Sequence, residues 1–144
     1  DAMADHLREG GSEFGATTGR PRRCGWLDVP LLRYAHALCE FDGLAITKLD
    51  VLSGMERIGM VTAYEIDGET VDEHPGDTPL LERAKPVVET VPGWTEDLSG
   101  VRRYDDLPAA CRSFVDTICG RVGVDWDILS VGPGREDTIL REAR

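Results

Sequence analysis

Residues 43–50 read Gly43-Leu44-Ala45-Ile46-Thr47-Lys48-Leu49-Asp50, a short apolar run that turns polar at its end. A buried parallel strand has this pattern when a site lies beyond its carboxyl end. The neighbouring segments fit an alternating arrangement. Residues 1–25 suggest a short helix followed by a loop. Asp28 is placed to cap a helix whose first turn accepts Pro30, with Leu31, Leu32, Ala35, Leu38 and Cys39 as its expected buried face. Residues 57–66 alternate moderately and meet Asp67-Gly68, a strong hairpin signal, before a short strand at 69–71. Residues 86–91 (PVVETV) read as a further strand, closed by Pro92-Gly93. A helix is expected over 107–122, with Asp106 as cap, Pro108 in its first turn, and Cys111, Phe114, Val115 and Ile118 on one face. Residues 126–131 (WDILSV) read as a strand running into Gly132-Pro133-Gly134-Arg135. Together these elements predict an α/β fold: part of a mostly parallel sheet flanked by helices, with an inserted β-hairpin. Two strand ends followed by polar, glycine-containing loops point to a ligand edge outside the carboxyl ends of the strands.

The chain has 144 residues, enough for one domain or a piece of a larger one. Its 41% hydrophobic and 30% charged composition is that of a globular rather than a disordered protein. No apolar run approaches the roughly 18–20 residues that cross a bilayer, so no membrane partner is expected. A formal charge of −11 opposes non-specific binding to nucleic acid, which depends on neutralising phosphates. The opening residues DAMADH are neither basic nor followed by an apolar stretch, so no secretory leader and a cytoplasmic location are expected. Lys48 and Lys85 are the only lysines among 16 basic residues. Such a surface suits a salty cytoplasm, and equally an ordinary acidic protein from a GC-rich genome. Cys24, Cys39, Cys111 and Cys119 form no CxxC pair, and His6, His36 and His74 are scattered. Reduced thiols are therefore expected, and no metal site from this chain alone.

Two constellations carry chemistry. In residues 15–23, two hydroxyls, two glycines and three arginines fall within nine positions. Glycine admits a ligand close to the backbone, hydroxyls and amides donate, and guanidinium forks hold carboxylates or phosphates. Cations concentrated here in so acidic a chain suggest an anion site; a solvated basic turn paired with the protein's own acids is the plainer reading. The second constellation is Thr47-Lys48-Leu49-Asp50. A carboxylate at a strand end can accept from the ring N–H and exocyclic amine of guanine, a donor pair that adenine lacks. A lysine stem can lie across the base, although Lys-x-Asp is commonly only a surface pair. Ser130-Val131-Gly132-Pro133 offers a second backbone edge that could close over a base, or a plain turn.

The segments FGATTGRPRRCGWLD at 14–28, TKLDVL at 47–52, VPGW at 91–94, YDDLP at 104–108 and ILSVGPGR at 128–135 resemble the C-terminal third of the adenylosuccinate synthetase family. They occur in the family's order and spacing across essentially the whole chain. The resemblance implies a P-loop-NTPase-like fold and a purine-synthesis ligase that joins L-aspartate to IMP using GTP and Mg2+. In that reaction GTP phosphorylates the 6-oxygen of the inosine ring and the aspartate amine displaces the phosphate.

By the same resemblance, Ala16, Thr17, Thr18, Gly19, Arg20, Pro21 and Arg22 form an aspartate-binding loop. Thr17 and Thr18 would contact aspartate carboxylates, Arg20 would grip a carboxylate and touch the IMP ribose, and Arg22 would reach toward the GTP phosphates. Lys48, Leu49 and Asp50 would form the guanine pocket, closed by Ser130, Val131 and Gly132. Two departures stand out: the family often has threonine in place of Val131 and aspartate in place of Gly134. The family's Gly-rich phosphate loop, with its catalytic aspartate, magnesium ligand and nearby histidine acid, matches nothing in residues 1–144. The resemblance therefore implies a C-terminal part, inactive alone, of a homodimeric enzyme, with Arg22 the one candidate transition-state stabiliser. A non-catalytic guanine-nucleotide-binding module is the alternative. A third class, an interaction domain using Arg20, Arg22 and Arg23 on nucleic acid, is disfavoured by the overall charge.

Overall fold

The computed structural model describes residues 2–141. Helix α1 (Ala2–Gly10) precedes a loop that leads to strand β1 (Leu27–Asp28) and helix α2 (Val29–Cys39). Strands β2 (Leu44–Ile46), β3 (Arg57–Ile66) and β4 (Glu69–Val71) follow, then helix α3 (Thr78–Arg83) and strand β5 (Lys85–Pro92). Helix α4 (Ala109–Val122) and strands β6 (Trp126–Ser130) and β7 (Thr138–Leu140) complete the order.

The strands form two mixed sheets rather than one mostly parallel sheet. In the first, β1 runs parallel to β3, while β4 and β5 pair antiparallel with it. In the second, β2 is parallel to β6, and β7 returns antiparallel. The correction has a local cause. The Asp67-Gly68 turn, with φ of 53° and 90°, sends the chain straight back along β3, and β5 then lines the same strand from Glu65 to Arg57. Such tight returns make antiparallel ladders, whereas parallel pairs need long crossovers.

The core joins both sheets through α4. Cys111, Phe114, Val115, Ile118, Cys119 and Val122 of this helix are buried with Ile58 and Met60 of β3, Leu129 of β6 and Ile139 of β7. Burying each such side chain contributes about 1.5–3 kcal/mol. The expected apolar face of α4 is therefore present, but the helix begins later than the spacing suggested. Leu107 takes φ −66° and ψ 146°, and Pro108, not Asp106, occupies the cap position. A residue before proline is pushed out of the helical region, so Asp105 and Asp106 fall instead into a short 3-10 turn.

Helix α2 is capped as expected: the Asp28 carboxylate accepts from the Leu31 backbone N–H at 2.9 Å. Its expected apolar face is only partly covered, however: Leu32 packs against the core and Ala35 is half-buried. Val29 and Pro30 are the buried residues, while Leu31, Leu38 and Cys39 are exposed, Leu38 at 67%. Helix α2 packs against β3 and α4. All four cysteines are free.

Candidate functional site

Because β2 and β6 are parallel, their carboxyl ends share one edge. There the Lys48 backbone N–H donates to the Ser130 hydroxyl at 2.9 Å. Lys48 adopts a left-handed conformation, φ 63°, which turns the chain into a 3-10 helix over Leu49–Leu52. Leu49, 1% exposed, anchors that turn in the core and leaves Asp50 beside the strand ends. One Asp50 oxygen, Oδ1, is shielded from solvent and meets no donor among the described residues. A buried acceptor left without a partner costs about 1–3 kcal/mol, which N–H donors of a ligand can offset.

The other half of this edge is organised by a residue that the sequence motifs did not single out. Asp137 accepts from the Gly134 N–H at 2.8 Å and pairs with Arg102 at 3.0 Å, while its backbone carbonyl accepts from the Val131 N–H at 2.9 Å. A Cβ on Gly132 would lie 2.6 Å from Asp137 Oδ2, so a larger residue there would push the carboxylate aside. The available signal was the Gly-Pro-Gly turn itself, whose amides need an acceptor nearby. Val131 is 1% exposed and its side chain belongs to the core, so any ligand contact at this position falls to the backbone carbonyl.

The 13–22 segment forms a tight hairpin. Phe14 bridges Pro21, Gly15 N–H donates to the Arg20 carbonyl, and Gly19 N–H donates to the Gly15 carbonyl, each hydrogen bond 2.8 Å long. Gly19 takes φ 65°, a left-handed turn that glycine adopts without strain. Ala16, Thr17, Thr18, Gly19, Arg20 and Pro21 all lie exposed at its tip. At its base the Arg22 backbone N–H donates to the Glu13 carbonyl at 2.9 Å, and Arg22 Nη1 donates to Glu13 Oε2 at 2.9 Å. The same Glu13 carboxylate accepts from Lys48 Nζ, which also donates to the Gly11 carbonyl at 2.8 Å. The hydrogen bond from Lys48, then the charges of Lys48 and Arg22, hold the Glu13 carboxyl below its ordinary value. Glu13 thus ties the two constellations together, and the sequence reading missed it; an acid two residues before the glycine was the only hint.

Between the constellations opens a cleft of about 420 Å³. Trp26, Ile58, Gly59 and Phe114 give it apolar walls, and Arg22, Arg23 and Lys48 bring cations. The Trp26 indole packs so closely on Gly59 that a Cβ there would come within 2.7 Å of the ring. Thr47 also lines the cleft, whereas the 16–21 tip, Asp50 and residues 130–132 do not. The arrangement suits an anionic ligand with a flat or apolar body, approached from two edges. Among the described residues, no group of three or more His, Cys, Asp or Glu side chains is placed to hold a metal ion. No helix among them is long and apolar enough to cross a membrane.

With this geometry in hand, comparison with known proteins identifies the fold as that of a carbon–nitrogen ligase family. A family model described as adenylosuccinate synthetase matches residues 1–139, and the chain belongs to that family. It is 50% identical over 140 residues to the adenylosuccinate synthetase of Desulfatibacillum aliphaticivorans, covering 97% of this chain and 33% of that protein. It is 51% identical over 142 residues to that of an Anaeromyxobacter strain, covering 99% of this chain and 33% of the relative. The solved structure of fully ligated adenylosuccinate synthetase from Plasmodium falciparum superposes with a TM-score of 0.93 at 36% identity, covering 99% of this chain and 34% of that one. The chain thus spans about a third of the length of the relatives it matches.

Proposed function

We propose that residues 1–144 form the C-terminal part of a longer protein that ligates L-aspartate to IMP with GTP, giving adenylosuccinate, GDP and phosphate. The observation that carries this reading is Asp50: a carboxylate oxygen kept from water without a donor, at an edge where two parallel strands end. Guanine supplies the missing donors from its ring N–H and exocyclic amine. Lys48, Leu49 and Asp50 form one wall of the base pocket in this reading, and the backbone of Ser130, Val131 and Gly132 the other.

The exposed 16–21 tip, with its two hydroxyls and free amides, takes the aspartate carboxylates. Arg20 adds a guanidinium that has no side-chain partner among the described residues, and it reaches the IMP ribose as well. Arg22 lies where the hairpin meets the cleft, so it can stabilise charge that moves between the γ-phosphoryl group and the inosine oxygen. Magnesium would neutralise phosphate charge in such a reaction; the described residues offer no cluster for it, so its ligands belong to the remainder of the protein. In this reading the two mixed sheets are the C-terminal portion of a larger P-loop-NTPase-like fold. A cytoplasmic homodimer working in AMP biosynthesis completes the proposal.

The test is steady-state kinetics on the complete protein. Adenylosuccinate should form only with GTP, IMP and aspartate together. Asp50→Ala should relax the preference for GTP over ITP and ATP by about tenfold or more, since a charge-assisted contact is worth about 1.5–3 kcal/mol. GTP kinetics unchanged by Asp50→Ala would overturn the guanine assignment. Nucleotide binding without product would point to a non-catalytic module instead.

A further inference from the structure

Glu13 stands outside every residue set assigned above, yet it touches both. We propose that Glu13 is a positioning residue that couples the aspartate loop to the guanine pocket, because its one carboxylate holds Arg22 and Lys48 at the same time. The inference rests on the proposed function, which places Lys48 in the guanine pocket and gives the hairpin above Arg22 to aspartate.

The geometry makes the coupling specific. Oε2 accepts from Arg22 and Oε1 from Lys48, so each oxygen serves one cation. The backbone bond from Arg22 to Glu13 fixes the acid at the base of the hairpin, and the Gly11 carbonyl fixes the lysine from a second direction. The Glu13 side chain is 22% exposed, more sheltered than either partner, so the acid is the least solvated of the three charges. Nor is it forced by a shortage of cations for other acids: Arg23, in the same cleft, has no side-chain partner among the described residues. Glu13 engages only one end of the Arg22 guanidinium, whose remaining N–H groups stay available to a ligand.

When guanine settles on Lys48 and Asp50, the lysine is immobilised. Glu13 and the hairpin base are immobilised with it, and the loop above Arg22 is presented to aspartate already oriented. Ordering one site thereby lowers the ordering cost of the other, and by linkage the effect runs equally in both directions.

The experiment measures the dependence of the aspartate KM on GTP concentration in the complete protein. Coupling of this kind typically amounts to at least about fivefold. In the unaltered protein the aspartate KM should fall by about that factor from low to saturating GTP. Glu13→Gln, similar in shape but uncharged, should reduce the dependence to less than about twofold while thermal unfolding stays cooperative; Glu13→Asp, which keeps the charge, should restore part of it. A merely structural role would lower kcat and stability without changing the ratio. Should Glu13→Gln fail to fold, Glu13→Asp alone decides, since its shorter reach must weaken the coupling. A coupling ratio unchanged in the folded variant overturns the inference. Asp50→Ala, run in parallel, separates the failures: if it abolishes GTP preference while Glu13→Gln leaves coupling intact, only the role of Glu13 is lost.

Discussion

The backbone amide of Lys48 and the hydroxyl of Ser130, 82 positions apart in the chain, meet at 2.9 Å and join the ends of two parallel strands. This bond fixes the left-handed turn at Lys48 that carries Asp50 to the edge. Ser130→Ala removes the acceptor. The expected result is a loss of about 1 kcal/mol in stability and a GTP KM raised roughly fivefold, with the aspartate KM at saturating GTP little changed. Chemical denaturation and initial rates on the complete protein check both parts.

Thr18 sits exposed at the tip of the hairpin and does not line the cleft that Lys48 lines. Thr18→Ala should raise the aspartate KM by about tenfold, the scale of one hydrogen bond to a charged group, while the GTP KM at saturating aspartate stays within about twofold. A matching loss of GTP affinity would mean that the tip serves the nucleotide.

The VPGW segment has a structural explanation. A Cβ on Gly93 would lie 2.0 Å from the Met55 carbonyl oxygen, a backbone atom that cannot swing aside. Next to it, Trp94 is 2% exposed and its indole N–H donates to the Ser53 hydroxyl at 3.2 Å. Gly93→Ala should therefore cost more than about 2 kcal/mol, read as a lowered denaturation midpoint, because the backbone at Met55 and Glu56, just after the 3-10 turn bearing Asp50, would have to move. Stability equal to the parent would contradict this close approach.

Two of the three tyrosines should report on alkaline unfolding. Burial, and after it the hydrogen bond to Asp28, raises the Tyr64 phenol well above its ordinary value; burial and Asp116 do the same for Tyr104. A phenol raised in the folded state contributes stability that is whole below its unfolded value near pH 10. That stability drains away as pH climbs toward the folded value. Phenolate absorbance should therefore show both groups ionising only as the fold is lost, and Tyr64→Phe should remove one of them. Ionisation of both near pH 10 with the fold intact would disprove it.

Much of the local structure was written in short-range pattern. The Asp28 cap, the Asp67-Gly68 turn, the apolar face of α4 and the strands at 44–46 and 126–130 depend on neighbours within a few residues, and all are present. Pairing was less legible. Whether β3 would take parallel or antiparallel partners depended on where β5 returned, and alternation within a strand is silent on that choice. The face of α2 was legible only in part: Leu32 packs against the core, whereas Leu31 and Leu38, which the same spacing offered, are left exposed.

The sequence alone determined the family through motifs in order, and with it the two groups of polar residues at loop and strand ends. Only the tertiary structure decided how those groups are joined. Glu13 reaches across 35 positions to Lys48, and Asp137 folds back on Gly132 and Gly134 with Arg102 behind it. Neither acid differs on paper from the many other carboxylates of a chain with 27 of them. A carboxylate becomes specific only when folding brings donors to both of its oxygens and takes water away, and that is a property of distance in space rather than of position in the chain.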